Sequence, residues 1–284
     1  MSLSSLRWRG ASALITLSAA GAAVLAVAVP AGASTGPRYA SVEQVGYAAT
    51  GAQFKVVRAE VYLRNPAQYA SEVGQYGQSV QLWSSGLVGV FSLSASTSGT
   101  SYIPHLKIYD AGSHQLVASD PNAQWCDENG ENCHPATGAG FPAGETVLLV
   151  LAYDKQAGTL GVFGYLADTG TFTAGYTAGT GMSFTQARLG SEFGSDPWTA
   201  PPSFTHPAAW TKIAVYTSVE LQTYNGKRST LASWFPHHKI FMSAITGSLI
   251  DVRAAPTDLS AGGTSFQDWL APAGVNGPAQ PPRS

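Results

Sequence analysis

Apolar and polar residues alternate with a period of two through most of the chain. In residues 54–63 (FKVVRAEVYL), Val57 and Val61 fall on one face, whereas Arg58 and Glu60 fall on the other. Such alternation is typical of a β-strand with one face buried. The same pattern, or a short apolar run between turn residues, predicts further strands at 79–83, 87–95, 102–110, 115–119, 146–154, 159–168, 172–177, 182–193, 211–224, 238–243 and 249–254.

Helical periodicity is nearly absent. Only residues 264–271 (TSFQDWLA) have a pattern that predicts one or two helical turns. A dozen short strands, separated by turn sequences such as DTGT and YNGK, are typical of two packed antiparallel sheets. The sequence therefore predicts an all-β fold, a two-sheet antiparallel β-sandwich of the concanavalin-like jelly-roll type.

The first 33 residues have the features of a secretory signal peptide. Arg7 and Arg9 form a short basic region, residues 11–29 are apolar and uncharged, and Ala31 and Ala33 are small residues at the expected cleavage site. An uncleaved membrane anchor is the alternative, and Pro30 with its small neighbours favours cleavage. We expect a secreted, extracellular protein.

The remaining chain divides into three predicted parts. Residues 34–40 are a linker, 41–270 the β-sandwich domain, and 271–284 a disordered tail rich in Pro and Gly. The formal net charge is −2, and removing two arginines with the signal makes it −4, so no basic surface for nucleic acid is expected. No later segment has the roughly 18 apolar residues that span a bilayer. We expect a monomer without stable membrane insertion after cleavage.

The two cysteines, Cys126 and Cys133, lie in WCDENGENCHP. Asn129 and Gly130 favour a type I′ hairpin turn, and counting outward from them places the cysteines opposite each other. Opposed strand residues are within disulfide range, and an exported protein meets an oxidising environment. A metal site with His134, or weak calcium binding by the acidic tip, is the alternative. C-x6-C-H is not a common zinc spacing, so we predict a disulfide, no metal and no cofactor.

Several catalytic motifs are missing. The chain has no Gly-rich nucleotide loop, no HExxH and no G-x-S-x-G sequence. Glu192 and Asp196 are a conceivable glycosidase pair, but the intervening Gly194 and Ser195 are expected to turn the chain between them. Aromatic residues make up 11% of the chain and include seven tryptophans. Exposed rings stack on sugars, although most aromatic residues of a sandwich fill its core.

Six segments occur in an order known from one enzyme family. They are VEQVGYAATGAQFKVVRAEVYL, SVQLW, YIPHLKIYD, FPAGETVLLVLAYDKQAGTLGVFGYLADTGTFTAGY, ARLGSEFGSDPW and PPSFTHPAAWTKIAVYTSV. Their order and spacing, over residues 40–245, resemble those of the glutamic peptidases of family G1 (eqolisins) and their actinobacterial secreted relatives. The resemblance implies the same β-sandwich and an acid endopeptidase that acts on polypeptides without a metal.

The resemblance gives Glu192 the position of the catalytic glutamate. There the carboxylate acts as general base on the attacking water and then as general acid toward the leaving amine. A glutamine amide stabilises the oxyanion in the family. The strand expected to carry it, residues 87–95, contains no glutamine. Gln81 lies two residues before Trp83 and therefore on the same strand face, so it is the candidate replacement. The alternative is that Glu192 only braces the turn toward Pro197.

Three aromatic residues are the candidates for substrate binding: Trp83, Tyr109 and Trp198. A groove lined by them would hold a polypeptide substrate. The alternative function is a non-catalytic extracellular module that binds a peptide or a carbohydrate on the same fold. A glutamine amide beside Glu192 would favour the enzyme, and aromatic rings without such an amide would favour the binding module.

Overall fold

The structure is a computed structural model. It describes residues 43–68, 76–96, 98–113, 115–193, 208–230, 239–243, 254–257, 259–260 and 262–272. The predicted signal peptide, linker and C-terminal tail lie outside these ranges, apart from the first two tail residues. Within the described residues, the one helical element is a 3₁₀ turn at Pro66–Gln68, and no helix is long and apolar enough to cross a membrane.

Strands account for nearly all the regular structure in the described part of the chain. In chain order they are β1 (Glu43–Thr50), β2 (Phe54–Leu63), β3 (Tyr76–Trp83), β4 (Leu87–Ala95), β5 (Ser101–Asp110), β6 (Leu116–Ser119), β7 (Gln124–Cys126), β8 (His134–Pro135), β9 (Phe141–Pro142), β10 (Thr146–Asp154), β11 (Thr159–Leu166), β12 (Gly170–Thr177), β13 (Gln186–Phe193), β14 (Thr211–Thr223), β15 (Arg228–Ser229), β16 (Lys239–Ser243), β17 (Ala254–Pro256) and β18 (Phe266–Leu270).

The strands form two antiparallel sheets. The eight-stranded sheet has the order β16-β1-β13-β3-β4-β5-β6, with β9 pairing with β5. The ten-stranded sheet has the order β17-β18-β14-β2-β10-β11-β12-β7-β8, with β15 pairing with β14. Buried side chains from both sheets form one hydrophobic core. The predicted two-sheet antiparallel β-sandwich is therefore confirmed.

The two sheets interlock through small residues that receive large ones. A Cβ on Gly89 of β4 would lie 2.2 Å from the Leu160 side chain of β11. A Cβ on Gly164 of β11 would lie 2.9 Å from the Phe91 ring of β4. Phe91 in turn stacks on Phe172 with 5.9 Å between the ring centroids. Because each sheet supplies the space that the other fills, the packing sets how the sheets align.

The alternation pattern located several strands closely. Strands β2, β4 and β10 occupy residues 54–63, 87–95 and 146–154, as predicted. The predicted strand at 249–254 lies almost wholly outside the described residues. Asp110 and Asp154 end their strands and accept backbone N–H hydrogen bonds from the following turns, as Asp commonly does.

The helical prediction for residues 264–271 is wrong, because β18 forms there. Phe266, Asp268 and Leu270 are buried, whereas the two intervening residues are half-buried. Burial therefore alternates with a period of two, and one of the three buried residues is an acid. A buried carboxylate interrupts the apolar pattern from which a strand is predicted, so the pattern does not indicate a strand here.

The predicted disulfide is confirmed: Cys126 and Cys133 are joined. Pairing of Trp125 with His134 in β7 and β8 places the two cysteines opposite each other. The bond hints at an oxidising environment, because such bonds persist mainly outside reducing compartments. Secretion itself stays a prediction.

The predicted type I′ turn at the hairpin tip is wrong. Of its two central residues Gly130 has a positive φ and Asn129 does not. The Asp127 carboxylate instead organises the tip by accepting hydrogen bonds from the backbone N–H groups of Asn129 and Glu131 and from the Asn132 amide. These bonds, above all the one from Glu131, hold the pKa of Asp127 below its ordinary value.

Removing the disulfide is expected to lower the stability of the domain modestly. The bridge joins residues seven positions apart, and closing so short a loop restricts the unfolded chain by about 2 kcal/mol. For Cys126→Ser combined with Cys133→Ser we expect Tm to fall by roughly 4–8 °C. Calorimetry of the double variant beside the wild type tests this. An unchanged Tm would show that the hairpin tip unfolds independently of the sandwich.

Candidate functional site

Glu192 lies near the end of β13, on the outer face of the eight-stranded sheet. Leu189, three residues earlier on β13, belongs to the core, and so does Val80 on the adjacent strand β3. Because successive side chains of a strand point to opposite faces, Glu192 points away from the ten-stranded sheet. Glu192 is opposite Gly77 in the β13–β3 register, which brings Ser79 and Gln81 next along β3 on the same face. The outer face therefore gathers one carboxylate, one hydroxyl and one amide from two neighbouring strands.

These three side chains are directly hydrogen-bonded. Ser79 Oγ donates to Glu192 Oε1 at 2.7 Å, and Gln81 Nε2 donates to the same oxygen. Gln81 Nε2 also lies 3.0 Å from Ser79 Oγ, to which it donates. The structure thus brings together Glu192 and Gln81, the two residues predicted from sequence as a catalytic pair. Ser79 is the member of the cluster that sequence reasoning missed.

The orientation of the Gln81 amide is set by Trp83. The indole Nε1–H donates to Gln81 Oε1 at 2.7 Å, and an N–H can bond only to the oxygen end of an amide. The NH₂ end must therefore face Glu192. The Arg188 guanidinium lies over the Trp83 ring, 3.9 Å from its centroid, and donates to Gln186 Oε1 at 3.1 Å. Arg188 and Gln186 thus extend the ordered polar surface away from Glu192.

Burial strengthens these contacts. Ser79 and Gln81 have no exposed surface, and Glu192 is half-buried. A hydrogen bond to a carboxylate is stronger in such surroundings than in water, because the local dielectric is low. The arrangement holds a carboxylate able to accept a proton beside an N–H donor able to stabilise negative charge. Those are the two requirements for hydrolysis by general acid–base catalysis with an oxyanion donor.

Two glycines allow β1 and β13 to approach closely beside the site. Gly46 and Gly190 are paired, and each has a φ close to +155° that side chains rarely adopt. A Cβ on Gly190 would lie 2.0 Å from the Val45 carbonyl oxygen, and one on Gly46 would lie 2.0 Å from the Leu189 carbonyl oxygen. Only glycine fits at either position. The strand that carries Glu192 is thereby held tightly against its neighbour.

A second polar cluster lies on the core side of the same strand. Asp268 of β18 has no exposed surface, and its Oδ2 accepts hydrogen bonds from Ser191 N at 3.0 Å and from Ser191 Oγ at 2.8 Å. Burial raises the pKa of Asp268 to about 7, although both hydrogen bonds from Ser191 act in the opposite direction. Ser191 directly precedes Glu192. Sequence reasoning missed this acid because its segment was interpreted as helix.

A separate pair, His105 and Asp120, also lies on the outer face. Their Nδ1 and Oδ2 atoms are 2.8 Å apart, and the Leu106 N–H donates to the other carboxylate oxygen at 2.8 Å. His105 is opposite Ser92, which is opposite Ser79, so the pair lies two strands from the Glu192 cluster. Asp120 follows β6, fifteen residues after His105, and no short motif links them.

The predicted aromatic groove is only partly described. Trp83 is half-buried at the site, whereas Tyr109 is 3% exposed and packs with Val88 and Val90 on the same face. Trp198 lies outside the described residues, as does Asp196. A role of these rings in binding substrate stays a prediction. Tyr109 packs against its neighbours on this face and does not present its ring to solvent.

In the described part of the chain no group of three or more His, Cys, Asp or Glu side chains is placed to hold a metal ion. His134 is exposed, and its Nδ1 lies 3.3 Å from the Pro135 carbonyl oxygen. Cys126 and Cys133 are joined in a disulfide, so the alternative metal site at the hairpin has no thiolate ligands.

Sequence comparisons find no relative: no protein-family model and no curated protein matches the chain. Solved structures do match. Scytalido-glutamic peptidase, bound to a transition state analog inhibitor, aligns with a TM-score of 0.51 at 14% identity, over 81% of this chain and 98% of that chain. This shows a distant fold relationship, and the sandwich class is confirmed.

Two further structures align less well. Basic winged bean lectin, with Tn-antigen, has a TM-score of 0.28 at 13% identity, over 56% of this chain and 69% of that chain. A heptameric SAP-like pentraxin from Limulus polyphemus has a TM-score of 0.31 at 11% identity, over 72% of this chain and 93% of that chain.

Proposed function

We propose that this protein is a secreted, metal-independent acid endopeptidase in which Glu192 is the general base and general acid and Gln81 is the oxyanion donor. The observation that carries the proposal is the hydrogen bond from Gln81 Nε2 to Glu192 Oε1 on the outer sheet face. The fold likeness to a glutamic peptidase supports it. The expected partner is an extracellular polypeptide substrate.

The proposed reaction needs one water and one peptide bond. The Glu192 carboxylate takes a proton from the water while the water oxygen attacks the scissile carbonyl carbon. The carbonyl oxygen becomes an oxyanion, which accepts a hydrogen bond from Gln81 Nε2 in place of the one that this nitrogen donates to Ser79. Glu192 then gives its proton to the amide nitrogen, the C–N bond breaks, and the products are a carboxylic acid and an amine.

The neighbours of the pair have supporting roles in this scheme. Trp83 keeps the NH₂ end of the Gln81 amide toward the reacting centre through its bond to Oε1. Ser79 donates to Glu192 Oε1 and so helps hold the carboxylate in one rotamer. An amide held in this orientation has only to exchange its bond to Ser79 for one to the oxyanion, and little reorganisation when charge develops is the main source of an oxyanion donor's catalytic value.

A second candidate function, a non-catalytic peptide- or carbohydrate-binding module, rests on the burial of Gln81. Its amide has no exposed surface, and its Nε2 donates to both Glu192 and Ser79. A cluster satisfied in this way can also serve only to stabilise the sheet. A ligand would then contact the more exposed groups at its edge, Trp83 and Arg188.

Replacing Gln81 tests the enzyme directly. We expect Gln81→Ala to lower the rate of cleavage of an unfolded protein by about 10²–10³-fold, the usual loss for one oxyanion donor. The mature wild-type chain is incubated with substrate between pH 2 and 6 in the presence of a chelator, and peptides are identified by mass spectrometry. Gln186→Ala is the matched control, because Gln186 lies on the same face but contacts Arg188.

The outcomes separate the two candidates. Cleavage by the wild type and by Gln186→Ala, with a large loss in Gln81→Ala, supports the endopeptidase. Cleavage that Gln81→Ala retains in full would remove Gln81 from the mechanism. A folded wild type that cleaves nothing over this pH range would contradict the enzyme and leave the binding module.

A further inference from the structure

The Glu192 cluster on the outer face is backed by a second polar cluster in the core. Asp268, from a strand of the other sheet, accepts both the backbone N–H and the hydroxyl of Ser191. Ser191 and Glu192 are consecutive on β13, so their side chains point to opposite faces of the sheet. A contact that fixes Ser191 from below therefore also fixes the backbone from which the Glu192 side chain projects.

Two buried polar atoms around Ser191 have no hydrogen-bond partner among the described residues: Asp268 Oδ1 and Gln78 Oε1. Gln78 is opposite Ser191 in the β13–β3 register, and its amide nitrogen donates to the Tyr76 hydroxyl. Unpaired polar atoms in a core are costly, and such costs are tolerated mainly where the arrangement has a role.

A proton on Asp268 offers a partner for one of these atoms. A carboxyl group with a proton on Oδ1 becomes a donor, and Gln78, whose Oε1 is an unpaired acceptor, is opposite Ser191 in the β13–β3 register. One internal water, of the kind that buried polar sites commonly hold, would join the two groups. Oδ2 remains free to accept both Ser191 bonds in that state. The neutral acid can therefore serve both neighbouring strands, β13 and β3, which carry Glu192 and Gln81.

We propose that Asp268 is a positioning residue: from the core side it holds Ser191 and thereby sets the Glu192 carboxylate against Gln81 Nε2. The inference rests on the proposed function for its effect on catalysis, whereas its effect on the geometry of the cluster does not. Displacement of a reacting group by about 1 Å costs up to roughly 10²-fold in rate, so a support behind the sheet has catalytic consequences.

The surroundings favour the neutral form of Asp268. Among the described residues the titratable group that faces it is Tyr216 on β14, whereas the Glu192 carboxylate lies on the opposite face of the sheet. Burial raises the pKa of the Tyr216 hydroxyl well above its ordinary value, and the negative charges of Asp268 and Glu192 raise it further. Tyr216 therefore stays neutral, and none of the ion pairs among the described residues involves Asp268. An acid peptidase would work where Asp268 is protonated.

The test compares Asp268→Ala with the isosteric Asp268→Asn in the mature chain. Asn keeps an oxygen that accepts the Ser191 bonds and adds donor hydrogens, as the protonated acid does. We expect Asp268→Ala to lower kcat by roughly 10–100-fold, with KM within about twofold, and Asp268→Asn to retain most of kcat below pH 5. Ser191→Ala, which keeps the backbone N–H, is expected to have a smaller effect. Asp154→Asn, at an exposed strand end, is the control.

A second measurement is independent of activity. The Trp83 indole N–H donates to Gln81 Oε1, so its NMR resonance reports on the geometry of the cluster. We expect this resonance to move in Asp268→Ala and to return close to the wild-type position in Asp268→Asn. If the wild type cleaves nothing, the proposed function fails, and the resonance still decides the inference.

Two results would overturn the positioning role. One is an unchanged Trp83 resonance and unchanged kcat in Asp268→Ala. The other is an equal loss of kcat in the Ala and Asn variants that follows the folded fraction alone, which would make Asp268 merely structural.

Discussion

Replacing Glu192 by Gln is expected to abolish hydrolysis, with a loss of about 10³-fold or more. The amide has nearly the same shape but takes no proton from water and gives none to the leaving amine. General acid–base catalysis contributes about 10²–10⁴-fold in enzymes, and in the proposed scheme one group would carry both steps. The hydrogen bond from Ser79 can persist to the new amide oxygen, so the fold should be retained. Cleavage rates of an unfolded substrate at pH 2–6 measure the effect.

The control for this variant is a second Glu→Gln change in the other sheet. Glu220 on β14 is partly exposed and lies 3.6 Å from Arg228, far from any catalytic step in the scheme. Glu220→Gln should cleave at the wild-type rate. If Glu192→Gln also retains that rate while the wild type is active, another group performs the chemistry and the catalytic assignment is wrong.

The second large effect concerns the contribution of Asp268 to stability, which we expect to fall as the pH rises from about 4 to 7. The pKa of Asp268 is about 7 in the folded protein, whereas an unfolded Asp titrates near 4. The folded state therefore binds more protons than the unfolded state in this window, and the free energy of unfolding falls with rising pH. The contribution is fully present below about pH 4 and lost above about pH 7. A difference of about three units between the folded and unfolded pKa of Asp268 corresponds to a change of about 4 kcal/mol in the free energy of unfolding.

The comparison of wild type with Asp268→Asn isolates this contribution. Other carboxylates titrate in the same window in both chains, so their effects cancel in the difference. We expect the wild type to lose about 10 °C of Tm relative to Asp268→Asn between pH 4 and 7. Thermal unfolding followed by circular dichroism at each pH is sufficient. Parallel curves for the two chains would show that Asp268 does not titrate in this range.

Together these expectations describe a protein suited to acid. The same carboxyl group that stabilises the fold below neutral pH lies behind the strand that carries Glu192. Loss of stability and loss of activity on the way to neutral pH would then share one cause. Asp268→Asn tests this, because the variant has no carboxyl group to deprotonate at this position and should lose the stability change together with the part of the activity loss that accompanies it.

Local sequence patterns were enough for the fold class. Residues 54–63 alternate so regularly that strand β2 has the predicted bounds, because the side chains of a strand point alternately to its two faces. The opposed cysteines of the hairpin were also predictable, because pairing outward from a turn depends only on nearby residues. The details of the turn itself were not, because the Asp127 carboxylate provides hydrogen bonds that the Asn-Gly pattern does not show.

The candidate site could be predicted only in part. Shared strand faces made Gln81 and Trp83 neighbours, and the family resemblance singled out Glu192. Their contact required β3 and β13 to be adjacent, although 111 residues separate Gln81 from Glu192. No local pattern encodes such a pairing, since many strand orders satisfy the same alternation of apolar and polar residues.

The sequence by itself determined that this chain folds into strands with one buried face, and it determined which residues share a strand face. Only the tertiary structure decided that Ser79 joins the Glu192 cluster and that Asp268 binds Ser191 from the core side. The physical reason is that alternation is a property of single strands, whereas strand order and sheet packing depend on contacts between residues distant in the chain. A buried acid such as Asp268 acquires its raised pKa from those contacts alone.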